Sequence, residues 1–149
     1  MKIPSAAFAE LTKIVGKENL LTDEVSLSVY AYDCSLSRTW PDALIHLRQA
    51  EVIAPVLKVL HAYHIPFVPR ASATNHAGSC AALNGGIILN VAPLNKILQI
   101  NTQEGFAWVE PGVTGGDLQD ALAPHVTKNA LICLAAGRTR TIILNVAPL

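Results

Sequence analysis

The chain has 149 residues, which is enough for one compact domain or for part of a larger one and too few for two ordinary domains. Because 51% of the residues are hydrophobic and only 15% are charged, the composition excludes a disordered chain. The 11 basic and 11 acidic residues balance, so no global charge attracts nucleic acid or an anionic membrane, and neither is expected as a partner.

The first 29 residues are predicted to form a helical segment. Phe8, Leu11 and Ile14 follow Pro4 at the spacing of one helix face. Gly16 is expected to end this helix. Residues 20–40 show no regular period, which predicts a short helical turn followed by a loop.

A crossover unit is predicted over residues 43–69. The apolar run 43–47 is typical of a buried strand, and the apolar positions between Val52 and Tyr63 recur at helical spacing. Pro55 has no N–H group and fits only the first turn, so this helix should begin near residue 51 or 52. Residues 65–69 then form a second strand that Pro69 ends, which predicts a right-handed β-α-β connection.

The next elements are predicted as a loop, three strands and a helix. Residues 70–86 are small and uncharged after the first, a composition typical of a binding loop. Strands are predicted at 87–91, 97–101 and 106–110, and the last two form an antiparallel hairpin with Gly105 in the left-handed region. Thr114 should cap a helix that runs to about Ala123, with Asp117 in its first turn. The predicted fold class is α+β, with a crossover unit followed by antiparallel strands and flanking helices.

The C-terminal residues repeat an earlier segment. Residues 142–149, Ile-Ile-Leu-Asn-Val-Ala-Pro-Leu, copy residues 87–94 letter for letter. One copied octapeptide is not a solenoid repeat. The copy could compete with the first segment for one position in a sheet, which would permit swapping between chains. We therefore hypothesise that the chain forms a homo-oligomer.

Cysteine spacing and hydropathy indicate the compartment. Cys34, Cys80 and Cys133 are an odd number without CxxC spacing, as expected in a reducing environment. Glu10 and Lys13 interrupt the N-terminal apolar stretch, so no signal peptide is predicted. The uncharged stretch 71–95 contains Asn, His, Gly and Pro and would not cross a bilayer. We predict a cytoplasmic protein without a transmembrane segment.

The loop from Arg70 to Ser79 is the strongest candidate for a functional site. It follows a strand end, and its small side chains let backbone N–H groups approach a pyrophosphate closely. The alternative is a tight structural connection between the halves of the sheet. The chain has no Walker A and no GxGxxG sequence, which excludes the usual mononucleotide and Rossmann loops.

Several motifs in a fixed order resemble one family. They are Pro-Asp-Ala-Leu-Ile at 41–45, Ile-Pro-Phe-Val-Pro-Arg-Ala-Ser-Ala-Thr-Asn at 65–75, Asn-Gly-Gly-Ile-Ile-Leu at 84–89, Leu-Asn-Lys-Ile-Leu at 94–98 and Val-Glu-Pro-Gly-Val at 109–113. Their order and spacing resemble the first half of the PCMH-type FAD-binding domain of the vanillyl-alcohol oxidase superfamily, in particular the FAD-linked subunit of glycolate oxidase and D-lactate dehydrogenases. The resemblance covers residues 30–124, which leaves 1–29 as the helical segment and 125–149 as a tail outside the family pattern.

The resemblance implies that the chain binds FAD, with the loop around the pyrophosphate. The family usually has Gly at the positions of Ala71, Ala73 and Ser79, so a positive φ at any of them would cost about 1 kcal/mol. His76 does not match the spacing of the histidine that attaches flavin covalently in some members, which implies non-covalent binding. The implied cofactor-binding residues are Pro69, Arg70, Ala71, Ser72, Ala73, Thr74, Asn75, His76, Gly78, Pro111 and Gly112.

The function that the resemblance implies is that of the FAD-binding portion of an oxidoreductase for a small 2-hydroxy acid, glycolate or D-lactate. Other subunits of a glycolate oxidase-like complex are the implied partners. No catalytic residue is identified, because the chain ends before the family's substrate domain, and this polypeptide alone is not expected to oxidise a substrate. The alternative is a truncated, inactive flavodomain that acts only as a binding or oligomerising module.

Other polar and aromatic residues have structural explanations. His61 and His64 lack a third ligand, so a helix C-terminal pair is predicted there and no metal site. Asp117 and Asp120 fit a solvated helix turn better than paired acid–base chemistry.

The tryptophans and one cysteine are expected to serve packing. Trp40, Phe106 and Trp108 are predicted to pack in the core or on the hairpin, and Cys80 is predicted to be buried as a small apolar group.

Overall fold

A computed structural model of the chain describes residues 3–35, 38–104 and 106–125. The chain divides into two compact units, Met1–Pro93 and Leu94–Leu149. The C-terminal copy of residues 87–94, the third cysteine Cys133 and the predicted tail beyond His125 lie outside the described residues.

The first unit begins with the predicted helix, α1 at Ser5–Val15. Gly16 ends it at a φ of +84° and donates its N–H to the Thr12 carbonyl oxygen at 2.9 Å. A two-residue strand, β1 at Leu20–Leu21, and a short helix, α2 at Glu24–Ser28, follow. Asp23 caps α2 by accepting a hydrogen bond from the Ser26 N–H group at 2.9 Å. The strand β1 was not predicted, because two residues carry no periodic signal.

A four-stranded sheet forms the centre of the first unit. Its strands are β1, β2 at Ala43–His46, β3 at Phe67–Arg70 and β4 at Ile87–Asn90, and a helix, α3 at Ile53–Ala62, connects β2 to β3. The spatial order is β1-β2-β4-β3, with β1 antiparallel to β2 and with β4 parallel to both β2 and β3. The predicted strand, helix and strand are confirmed, with β4 inserted between the two strands.

Proline chemistry explains the bounds of the crossover. A 3₁₀ turn at Ala50–Val52 precedes α3, so Pro55 lies in the first turn as predicted. The prediction that Pro69 ends β3 was wrong, because the strand continues to Arg70. β3 is an edge strand, so Pro69 can lack a donor on its open side without breaking the ladder.

The central strand β4 lies in the hydrophobic core of the first unit. All of its residues are buried, as are Leu44 and Ile45 on the neighbouring strand β2, which fits the continuous apolar runs of parallel strands. Gly86 leads into β4 at a φ of +90°, and a Cβ there would overlap the Pro66 carbonyl oxygen. Gly86 also donates its N–H to the Asp42 carboxylate at 2.6 Å, which joins the beginnings of β2 and β4.

The second unit contains the predicted hairpin and the last helix. Its strands are β5 at Ile97–Asn101 and β6 at Phe106–Val109, which pair antiparallel, and its helix is α4 at Gly115–Leu122. Residue 105, where a left-handed glycine is expected, lies outside the described residues. Leu118 and Leu122 of α4 pack with Val113 against the inner face of the hairpin.

One prediction about the aromatic residues is confirmed and one is wrong. Trp40 is 55% exposed, so its predicted place in the core was wrong. Trp108 is 64% exposed and meets the Phe106 ring edge to face at 6.3 Å, which is the predicted packing on the hairpin. Among the described residues, no helix is long and apolar enough to span a membrane.

Candidate functional site

The loop of residues 69–79 leaves β3 at the carboxyl end of the parallel strands. β2, β3 and β4 run in the same direction, and His46 and Arg70 are both in register with Asn90 at their ends. Ligands of open parallel sheets bind outside this edge. The fold therefore puts the predicted binding loop at the edge of the sheet where a ligand is expected.

Several backbone amides of the loop have no acceptor among the described residues. The N–H groups of Ala77 and Ser79 donate to the Asn75 side-chain oxygen at 3.1 and 3.2 Å. Within the described part of the chain, the N–H groups of six other loop residues donate to no protein acceptor. These residues are Ala71, Ala73, Thr74, Asn75, His76 and Gly78, and we refer to their N–H groups as the open amides.

Backbone conformation distinguishes the three positions where the family has glycine. Ala73 has a φ of +54°, in the left-handed region, and is buried. Ala71 and Ser79 do not have a positive φ. The expected strain of about 1 kcal/mol therefore applies to Ala73 alone. Gly78 also has a positive φ, +72°, where glycine avoids that cost.

The Arg70 side chain turns into the protein. The residue is 8% exposed, and its Nη1 atom donates to the Tyr32 carbonyl oxygen at 2.6 Å. Its Nη2 atom lies 3.5 Å from the Val29 carbonyl oxygen, and the guanidinium carbon lies 5.2 Å from the centre of the Tyr30 ring. These contacts join the end of β3 to residues 29–32.

A polar residue lies at the end of each of the three parallel strands: His46, Arg70 and Asn90. Asn90 contacts both His46 and Tyr30, and we call His46, Asn90 and Tyr30 the polar cluster under Tyr30. The Asn90 amide nitrogen lies 2.8 Å from His46 Nδ1 and donates to the Tyr30 hydroxyl at 3.2 Å. Burial lowers the pKa of His46, and the nearby positive charge of Arg48 lowers it further. This cluster was not predicted from the sequence, although a polar residue at the end of each apolar strand run was a usable signal.

Asp33 lies beside the loop, next to Cys34, whose N–H group donates to the Ala73 carbonyl oxygen. It is 8% exposed, and its Oδ1 atom accepts a hydrogen bond from the Ser35 N–H group at 2.8 Å. The Ser35 hydroxyl does most to lower the pKa of Asp33, and the Cys80 N–H group and Asn75 amide add to this effect. The Asp33 Oδ2 and Asn75 Nδ2 atoms are buried, and neither has a hydrogen-bond partner among the described residues.

Pro111 and Gly112 belong to the second unit. Gly112 is buried and donates its N–H to the Leu94 carbonyl oxygen at 2.6 Å, whereas Pro111 is exposed. These contacts hold the turn after β6 against the start of the unit. A role of the two residues in cofactor binding stays a prediction.

The remaining candidates show no shared site. The His61 and His64 rings meet edge to face at 6.3 Å at the end of α3. Within the described ranges, no group of three or more His, Cys, Asp or Glu side chains could hold a metal ion. Asp117 and Asp120 are exposed on α4, as predicted. Cys80 is only partly buried, so its predicted burial was wrong.

Comparison with known proteins identifies the family. The FAD binding domain family matches residues 41–140, beyond the residue 124 at which the resemblance was predicted to end. The glycolate oxidase subunit GlcD of Bacillus subtilis is 33% identical over 110 residues, which are 73% of this chain and 23% of that protein. The subunit of the same name from Escherichia coli K12 is 34% identical over 115 residues, 75% of this chain and 22% of that protein.

A solved structure agrees with these relatives. The crystal structure of p-cresol methylhydroxylase with substrate bound is 25% identical with a TM-score of 0.72, over 83% of this chain and 26% of that one. The chain thus spans about a quarter of the length of the proteins that it matches. These comparisons confirm the predicted fold class, the predicted resemblance and FAD as the cofactor. The chain belongs to the FAD binding domain family of flavin-dependent oxidoreductases.

Proposed function

We propose that the chain is the FAD-binding portion of an oxidoreductase that acts on a small 2-hydroxy acid, glycolate or D-lactate. Two relatives above 30% identity are named glycolate oxidase subunits, which supports glycolate. The likeness of the motifs to D-lactate dehydrogenases supports the second substrate. The chain spans about a quarter of the length of these relatives, and we assign none of its described residues to contact with the hydroxy acid.

The open amides are the single observation that carries the proposal. They lie at the carboxyl ends of three parallel strands, on a loop with small side chains and with two residues at positive φ. Successive N–H groups in such a loop form a concave site for an anion. We propose that residues 69–78 surround the FAD pyrophosphate in this way and that Pro111 and Gly112 supply a further flavin contact.

The chemistry is divided between cofactor and chain. When bound, the flavin would supply the hydride acceptor, and the chain would bind and orient it. His76 is exposed on the loop and its spacing does not fit covalent attachment, so binding is proposed to be non-covalent. The other subunits of a glycolate oxidase-like complex are the proposed partners, and the cytoplasm is the proposed compartment on the basis of cysteine usage.

Flavin content tests the proposal directly. The purified chain is denatured and the released FAD is quantified, and the chain without flavin is then reconstituted with FAD. We expect close to one FAD per chain in one of the two measurements. No flavin in both would contradict the proposal and favour the truncated module. Thermal stabilisation by another nucleotide but not by FAD would indicate a different phosphate ligand.

A charge placed on the loop tests where FAD binds. His76→Asp should weaken FAD binding at least about tenfold at low salt, because the new carboxylate lies beside the diphosphate. Gln103→Asp adds the same charge on the exposed hairpin turn and should leave the FAD dissociation constant unchanged. Equal effects of the two variants would contradict binding at the loop.

A further inference from the structure

We propose that Arg70 is a positioning residue, whose side chain sets the shape of the FAD-binding loop by anchoring residues 29–34 and does not contact the FAD phosphates. The inference rests on the proposed function, since it concerns the same loop. It separates the role of the Arg70 side chain from that of the open amides.

The Arg70 guanidinium is directed at protein acceptors. Its shortest contact is the 2.6 Å hydrogen bond from Nη1 to the Tyr32 carbonyl oxygen, and its central carbon lies over the Tyr30 ring. Only 8% of the residue is exposed, so little of its charge is accessible to a dissolved ligand. A hydrogen bond from a charged donor to a carbonyl oxygen is among the stronger hydrogen bonds of a protein.

The segment that Arg70 holds also contacts the loop. Cys34 donates its N–H to the Ala73 carbonyl oxygen at 3.3 Å, and Ala73 is the loop residue with the strained left-handed φ. Asp33 is buried next to this contact and attracts the Asn75 amide. Asn75 in turn accepts the N–H groups of Ala77 and Ser79. The contacts thus run from Arg70 through residues 32–34 to both halves of the loop.

Loss of the Arg70 anchor should loosen the loop before FAD binds. Ala73 would relax from its left-handed conformation when the 29–34 segment no longer holds it. The open amides would then sample many orientations, and binding would have to order them again. This ordering cost weakens affinity without the removal of any contact to the ligand.

Three variants of the full chain test the role of Arg70. Arg70→Met removes the charge and the donors, and Arg70→Lys keeps the charge but loses the planar guanidinium. Arg48→Met is the matched control, because Arg48 is exposed and donates to Asn19 at 2.7 Å, and neither residue belongs to the loop or to residues 29–34. Amide hydrogen exchange of residues 30–34 and 71–79 is measured without FAD, and FAD dissociation constants are measured at low and high salt.

A positioning role predicts faster exchange in both segments for Arg70→Met, and FAD binding that is weaker by about tenfold at both salt concentrations. Arg70→Lys should give a smaller change of the same kind and serves as the test if the methionine variant does not fold. Arg48→Met should behave like the parent chain.

Two results would overturn the inference. Unchanged exchange with a loss of affinity that shrinks at high salt would show that Arg70 contacts phosphate, while the proposed function would stand. Unchanged exchange and unchanged affinity would show that Arg70 has no such role. If the parent chain binds no FAD, the proposed function fails, and the exchange measurement alone still decides whether Arg70 orders the loop.

Discussion

Ala73 is the residue where sequence and loop conformation conflict most clearly. The sequence predicted strain at Ala71, Ala73 or Ser79, and only Ala73 has the positive φ that causes it. A Cβ atom in this region costs about 1 kcal/mol relative to glycine. Sequence alone could not choose among the three positions, because φ depends on contacts such as the one between Ala73 and Cys34.

Glycine at position 73 should therefore stabilise the chain. Ala73→Gly is expected to raise the free energy of unfolding by about 0.5–1 kcal/mol, measured by urea denaturation. Ala71→Gly is the matched control and should lower it by about the same amount, since residue 71 has no positive φ and glycine only adds freedom to the unfolded chain. Stabilisation by both changes, or by neither, would contradict the assignment of strain to Ala73.

At the scale of elements, glycine, proline and capping residues predicted the ends of helices, while apolar runs predicted the strands of both units. Gly16, Pro55 and Thr114 each lie where the structure begins or ends a helix. The insertion of β4 between β2 and β3 was not predictable from the local pattern, because strand order depends on packing between distant segments. The two-residue strand β1 is likewise defined by its partner, through Leu20 paired with Ile45.

The cap of α4 gives a test at this scale. The Thr114 hydroxyl accepts the Asp117 N–H at 2.9 Å, so Thr114→Ala should lower the free energy of unfolding by about 1 kcal/mol. Thr12→Ala is the control, because the Thr12 hydroxyl only donates back to the Phe8 carbonyl within α1 and alanine is the better helix former. Unfolding followed by circular dichroism would contradict the cap if both variants lost equal stability.

At the scale of the whole molecule, the polar cluster under Tyr30 connects stability to pH. His46 accepts the Asn90 amide through Nδ1 when the ring is neutral, and burial lowers its pKa below the ordinary value of 6.5. The folded chain therefore binds this proton less readily than the unfolded chain does. The resulting stability is complete above pH 6.5 and is lost as the pH falls through the lowered pKa of the folded state.

A comparison of two histidine variants isolates this dependence. Between pH 7.5 and 5.5 the parent chain should lose more stability than His46→Gln, which cannot take up the proton. His61→Gln, on the exposed side of α3, is the matched control for the substitution itself. Urea midpoints across this range provide the measurement, and parallel slopes for the parent and His46→Gln would show that His46 does not titrate on unfolding.

The family, the cofactor and the position of the loop were all within reach of the sequence, because several motifs occur in a fixed order over most of the chain. The sequence could not predict which loop amides lack a protein acceptor. Asn75 engages the amides of Ala77 and Ser79, and only the fold shows which others remain open. The proposed binding of FAD by the loop depends on those open amides.

Titration of ¹⁵N-labelled chain with FAD, followed by amide resonances, tests the central claim most directly. The largest shifts should occur at the open amides, those of residues 71, 73–76 and 78, and ADP should reproduce them because it carries a diphosphate without the flavin. Saturable shifts confined to other parts of the chain, with these resonances unmoved, would contradict the claim that the loop amides hold the cofactor.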